Sequence, residues 1–268
     1  MNKKLLVVDL DGTLTNSQKE VSYATKTAIL NLLSRGHKCM IASGRAPSGI
    51  KKIADDLEFE KYGGYILCYN GAKIIDYSSK EVIYQQTVPH DILSILYNFS
   101  KTNNCSLITY SDKELISANG IDKYISLESH IEHLPIHEVD KFAEYITFPI
   151  NKCIMTADSD YAAKCEVLLR NLIGDKLDVY RSDPFFIEIV PKGVDKSISL
   201  AKMLPILGIE REDCIACGDG FNDIRMIKFA GIGVAMGNAQ QVVKDAADVI
   251  TLTNDEDGII PIIEKYFE

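Results

Sequence analysis

The stretch KKLLVVDLDGTLT, residues 3–15, runs an apolar segment straight into two aspartates one residue apart, Asp9 and Asp11. Asp and Gly end strands routinely, so a plain turn accounts for the pair taken alone. Three further segments have the same form: "KCMIAS" ends at Ser43, "YILCYN" at Asn70 and "CIACGD" at Asp219. In an open parallel sheet, ligands bind beyond the carboxyl ends of the strands. If these strands are neighbours, the polar groups converge. Lys196 begins a helical pattern and adds a positive charge, and Asp223 follows Asp219 by four residues. With Asp9, Asp11, Asp219 and Asp223 in one pocket, four carboxylates face one ammonium, an excess that a semi-buried site does not carry unaided. A divalent cation with oxygen ligands is the simplest relief, and Mg²⁺ suits carboxylates and water. Protonation of Asp11 is a second relief and would make it a proton donor.

The rest of the chain narrows the class. At 268 residues, 46% hydrophobic and 25% charged, it reads as a soluble globular protein of one large or two ordinary domains. No apolar run reaches the length of a membrane span, and Leu5–Val8 is too short for a signal core; a cytoplasmic protein without membrane contact is expected. The net charge of −9 argues against a nucleic-acid partner. The seven cysteines, at 39, 68, 105, 153, 165, 214 and 217, are scattered within apolar runs. They read as reduced, buried thiols. "CIAC" has the CxxC spacing, but on a strand Cys214 and Cys217 point to opposite faces.

Strands and helices alternate over the first 80 residues and again over the last 75, which predicts a doubly wound parallel α/β sheet. "SYATKTAILNLLSRG" has a helical period with Ser22 as N-cap and Gly36 as stop, and Pro47 opens the next helix. Pro205 is expected to kink or shorten the helix that begins near Lys196, and Asn238 to cap the helix "NAQQVVKDAA". Between these halves lie paired strand signals, "SLITYS", "ELISA", "LDVYRS" and "FFIEIV", with helices in "VPHDILSILYNFSK" and "DYAAKCEVLLRNLIG". They predict an inserted α+β domain over 85–189, with 1–84 and 190–268 as the core. "TVPHD" and "RSDPFF" have the turn chemistry of linkers.

"DLDGT", "ASGR", the lysine of "PKGVDKS" and "GDGFND" together resemble, in order, the four motifs of the haloacid dehalogenase superfamily of phosphatases. The long insertion between the second and third motifs, with "YNGA" and "GVAMGNA", is similar to its Cof-type branch, which carries a C2-type cap. The resemblance implies a Mg²⁺-dependent phosphatase with a Rossmann-like core. Asp9 would be the nucleophile that forms an aspartyl-phosphate, and Asp11 the general acid and base. Ser43 and the Gly44 N–H would bind phosphoryl oxygens, and Lys196 would neutralise their charge. Asp9, Asp219 and Asp223, with Asp11 through its carbonyl, would hold Mg²⁺, and Asn222 would touch the phosphoryl group or position the acids. Arg45 and Asn70 are candidate substrate contacts. The implied substrate is a small phosphorylated metabolite, a sugar phosphate first and a phosphorylated cofactor second. A monomer or weak homodimer is expected.

Plainer readings stand beside these. Ser43 suits a helix N-cap, Asp219 and Asp223 suit a loop and a helix start, and Asn70 precedes a glycine as turn residues do. Lys192 competes with Lys196. Arg45 suits packing, Glu188 an ordinary strand position, and the histidines of "HIEHLPIH" (130, 133, 137) a surface role, since Pro135 breaks their helical face. A phosphomutase of the same superfamily, or a signalling domain that only carries the phosphoaspartate, would use similar groups.

Overall fold

The computed structural model describes residues 3–267. The chain opens with β1 (Leu5–Asp9), α1 (Tyr23–Ser34), β2 (Lys38–Ala42), α2 (Pro47–Asp56), α3 (Phe59–Tyr62), β3 (Tyr65–Cys68), β4 (Lys73–Asp76) and β5 (Val82–Gln85). The insertion supplies α4 (His90–Thr102), β6 (Ser106–Tyr110), β7 (Leu115–Ser117), α5 (Lys123–Glu132), β8 (Ile136–Glu138), α6 (Phe142–Tyr145), β9 (Cys153–Thr156), α7 (Ser159–Ile173), β10 (Leu177–Asp183) and β11 (Phe186–Pro191). The chain then resumes with α8 (Lys196–Leu207), β12 (Cys214–Gly218), α9 (Ile224–Phe229), β13 (Ile232–Ala235), α10 (Gln241–Lys244), β14 (Val249–Ile250) and α11 (Ile260–Tyr266).

Two compact units result. One takes in the chain through Arg45, Ile50–Tyr84 and the chain from Asp195 onward. Its sheet has the order β14-β13-β12-β1-β2-β3-β4-β5, parallel from β14 through β3, with β4 antiparallel to β3. All five residues of β1 are buried, as a strand covered on both faces requires. Leu5, Val7, Met40, Ala42 and Ala216 share a core with Leu200, Met203 and Leu204 of α8. The expected caps are present. The Ser22 side chain accepts from the Thr25 N–H, and Gly36 has φ 88° just beyond α1. Pro205 lies in the last turn of α8 and shortens its hydrogen-bond ladder without stopping it.

The second unit comprises Gln85–Val194 with Ala46–Gly49. Its sheet has the order β10-β11-β9-β6-β7-β8. One face packs on α4, α6 and α7 through Leu93, Leu96, Phe142, Met155, Cys165 and Leu169. The sequence pattern missed β9, which is central here and pairs with both β11 and β6. Its four residues are all buried, so they show no alternation. "RSDPFF" is not a linker but the bulged turn of the β10–β11 hairpin. All seven cysteines are buried free thiols, Cys214 and Cys217 among them. No helix among the described residues is long and apolar enough to cross a membrane.

Phe142 is fully buried in the second unit. Phe142→Ala is expected to cost about 3–5 kcal/mol in urea unfolding, and a loss below about 1 kcal/mol would show that this core repacks freely.

Candidate active site

The sheet register sets the site. Asp9 pairs with Ala42, so Ser43 leaves β2 level with the end of β1. Val8 pairs with Cys217, so Gly218 and Asp219 leave β12 at that same edge. The Asp195 side chain accepts from the Ser197 N–H and caps α8, which makes Lys196 its first residue.

Lys196, 1% exposed, donates to Asp9 Oδ1 at 2.6 Å and to Asp223 Oδ1 at 2.7 Å. Asp223, fully buried, accepts at Oδ2 from the N–H groups of Asp219 and Gly220, at 3.2 and 2.9 Å. Thr13 Oγ1 donates to Asp219 Oδ1 at 2.9 Å. Asp9, Asp219 and Asp223 each offer an oxygen within 4.8 Å of the others. Among the described residues, this is the one group of acids, cysteines or histidines so gathered. Three carboxylates and one ammonium leave a buried excess of negative charge, and all the donors are hard oxygens, so the residues present fit Mg²⁺. Asp223 already accepts at both oxygens and is better placed to hold Lys196 and the 219–220 backbone than to lie nearest an ion.

The charges act on each other's protons. Burial, reinforced by Asp223 and only partly offset by Lys196, pushes the Asp9 carboxyl up to about 8. Burial likewise raises Asp219, against the Thr13 hydrogen bond. Burial works against the Lys196 ammonium, but Asp223 and Asp9 more than compensate and raise it above the ordinary lysine value. Lys196 is thus held in its charged form, while Asp9 is shifted toward its protonated form.

Asp11 stands apart from this group. Its carboxylate accepts from Arg45 Nε at 2.9 Å and Nη2 at 2.7 Å, and from Lys19 Nζ at 3.1 Å. Burial pushes the carboxyl up, yet the two cations outweigh it and hold it below its ordinary value. Here Asp11 is a carboxylate, not the protonated donor that the charge count invited, because Arg45 supplies the relief instead. Gly12 has φ 85°, and a Cβ there would come within 2.5 Å of Asp219 Oδ2, so the turn after Asp11 requires glycine twice over.

The remaining candidates sort readily. Ser43 is buried, and its Oγ accepts from the Arg45 N–H at 3.2 Å. The Gly44 α-carbon faces the Asn70 side-chain amide, and Asn222 Nδ2 donates to Asn70 Oδ1 at 3.1 Å. Lys192 is exposed and pairs with Asp178 of the second unit. Glu188 pairs with Lys152 at 3.5 Å inside the second unit. His137 bonds Glu114 at the surface. Asn238 is not a helix cap, since α10 starts only at Gln241. Its Nδ2 donates to the Gly12 carbonyl at 2.8 Å and lies 3.5 Å from Asp219 Oδ2. Thr13, Lys19 and Asn238 were missed as site residues, although "DLDGT" and "GVAMGNA" contain two of them.

Comparison with known proteins agrees with this geometry. The haloacid dehalogenase-like hydrolase family matches residues 6–263. The chain belongs to that family. It is 32% identical over 263 residues to the 5-amino-6-(5-phospho-D-ribitylamino)uracil phosphatase YcsE of Bacillus subtilis, covering 98% of this chain and 95% of that protein. A crystal structure of a haloacid dehalogenase-like hydrolase from Bacteroides thetaiotaomicron superposes with a TM-score of 0.94 at 44% identity, covering 98% and 99% of the two chains. A structure from the same organism, described among the phosphatases of the superfamily, gives a TM-score of 0.81 at 26% identity, over 98% of this chain and 95% of the other. The chain is thus a phosphatase of the haloacid dehalogenase type.

For the ion-free protein the pH dependence follows. Folding raises the Asp9 pKa from 3.8 to about 8, so the folded state holds a proton that the unfolded state has lost between those values. Stability contributed in acid is lost as pH rises through about 8. Between pH 7 and 8, above the histidine range, unfolding free energy is expected to fall by about 1 kcal/mol per pH unit. Denaturant curves without divalent ions should be steeper in the wild type than in Asp9→Asn by about this amount, over a background of the same sign from the buried thiols, whose pKa values burial also raises. Equal slopes would place the titrating group elsewhere.

Proposed function

We propose that this phosphatase is Mg²⁺-dependent and cleaves small phosphorylated metabolites through an aspartyl-phosphate on Asp9. The observation that carries the reading is Lys196 held between Asp9 and Asp223 beside Asp219, at the strand edge from which Ser43 also emerges. Asp9 Oδ attacks phosphorus in line with the leaving oxygen, and the P–O bond to the alcohol breaks as the Asp9–phosphorus bond forms. Ser43 and the Gly44 N–H bind phosphoryl oxygens, and Lys196 balances their charge as it spreads. Bound Mg²⁺, held by Asp9, Asp219 and the Asp11 carbonyl with Asp223 behind them, would supply charge neutralisation and alignment.

Asp11 gives a proton to the leaving oxygen and later takes one from the water that cleaves the acyl phosphate. The Arg45 pairing suits the second duty, which needs a carboxylate. For the first, Asp11 gives up that pairing and takes a proton from solvent before passing it to the leaving oxygen. Arg45 is therefore an Asp11 partner before it is a substrate contact. The inserted unit is assigned the choice of leaving group. The ribityl phosphate named for the Bacillus subtilis relative supports polyol and sugar phosphates, with phosphorylated cofactors next.

A panel of sugar phosphates, ribityl phosphates, pyridoxal phosphate and flavin mononucleotide tests this, with free phosphate as the readout. Turnover is expected with Mg²⁺, is expected to stop on chelation, and is expected to fall by at least about 10³-fold in Asp9→Asn. Retained activity in that variant would overturn the covalent route, and isomerised sugar phosphate in place of free phosphate would make the enzyme a mutase.

A further inference from the structure

Three successive residues, Tyr69, Asn70 and Gly71, have positive φ, at 52°, 55° and 111°. Side chains rarely adopt this region, and a bulky aromatic such as Tyr69 least of all. The conformation turns two amides back onto the loop after β2. The Tyr69 N–H donates to the Arg45 carbonyl at 3.0 Å, and the Asn70 N–H to the Ser43 carbonyl at 2.9 Å. These carbonyls flank Gly44. The Asn70 amide lies against Gly44 itself, where a Cβ would stand 3.2 Å from Nδ2. Asn70 Oδ1 accepts from Asn222, so the same turn also reaches the loop that carries Asp223.

The far end of the turn is fixed by α8. Ser199 Oγ donates to the Gly71 carbonyl at 2.6 Å, in a buried contact between residues 128 apart in sequence. A side chain at 71 would come within 2.7 Å of the Asp195 carbonyl, so the turn is seated directly on the helix start. A serine inside a helix ordinarily returns its hydroxyl to a carbonyl one turn back. Ser199, fully buried and one turn beyond Lys196, spends it on this turn instead.

We propose that Ser199 is a positioning residue for phosphoryl binding. By holding Gly71, it fixes Asn70 against Gly44 and Asn222 and sets the Ser43–Gly44 loop relative to Lys196. The proposal rests on the phosphatase reading and adds to it a residue that the four motifs do not contain. A packing role alone would require the volume of Ser199 but not its hydroxyl.

The test is Ser199→Ala, with inorganic phosphate affinity measured by calorimetry and kcat and KM measured on p-nitrophenyl phosphate. Phosphate Kd and KM are expected to rise about fivefold or more through loss of a buried hydrogen bond. Mg²⁺ affinity is expected to stay at the wild-type value, since Asp9 and Asp219 are untouched. Ser199→Cys keeps the size with a weaker donor, should fall between the two, and serves if the alanine variant does not fold. Asn70→Gly keeps the left-handed backbone while removing the amide. If Ser199 acts through Asn70, the double variant loses no more than Asn70→Gly alone.

A lowered melting temperature with phosphate affinity and KM unchanged would overturn the proposal and leave the phosphatase reading intact. Losses that multiply in the double variant would overturn it equally. A wild type that neither binds phosphate nor turns over substrate would take both down together.

Discussion

The site depends on one buried contact, the Lys196 ammonium set between Asp9 and Asp223 with Asp219 alongside. Removing ions from water is expensive, and a pair repays that cost only when its geometry is close and its remaining valences are filled. Here they are largely filled. Asp223 takes Lys196 on one oxygen and two backbone N–H groups on the other, and Asp219 takes Thr13. What remains is an excess of negative charge, and Asp9 meets it by holding on to a proton. A buried acid held in its protonated form ionises most readily beside a cation. On the proposed route, a bound cation and the anionic form of Asp9 would go together.

The fold serves this constraint through register. Parallel β1, β2 and β12 end level with one another, so loops far apart in the chain start from one edge. Gly12 lets the chain turn where any side chain would strike Asp219, and Asn238 ties the Gly12 carbonyl to the neighbourhood of that same acid. Asp11 is neutralised separately by Arg45 and Lys19. The site thus divides its acids into a gathered group with an excess of negative charge and Asp11, which has two cations of its own.

The parts legible in the sequence were those with local signals. The buried run of β1, the Ser22 cap, Pro47 at the start of α2 and the strand-end position of Asp9, Ser43 and Asp219 all follow from period and turn chemistry. Lys196, not Lys192, lies against Asp9 and Asp223, and the sequence features that favour it are its motif position and its place at a helix start. What stayed hidden was decided at a distance. Nothing near Asp11 in the chain announces that Arg45, 34 residues on, will hold it ionised. The Asn238 side chain suits a helix cap by type, but it is drawn to Gly12, 226 residues away. β9 has no alternation to read because both its faces are covered, and "RSDPFF" has the same turn residues whether it links units or closes a hairpin.

The most direct test of the central claim is calorimetric titration of Mg²⁺ into the protein at pH 7, repeated in buffers of different ionisation enthalpy to count protons released. The account predicts release of about one proton per ion bound in the wild type and close to none in Asp9→Asn, since the ion displaces the proton that the buried acids retain. Mg²⁺ that binds without releasing a proton, or fails to bind, would contradict it.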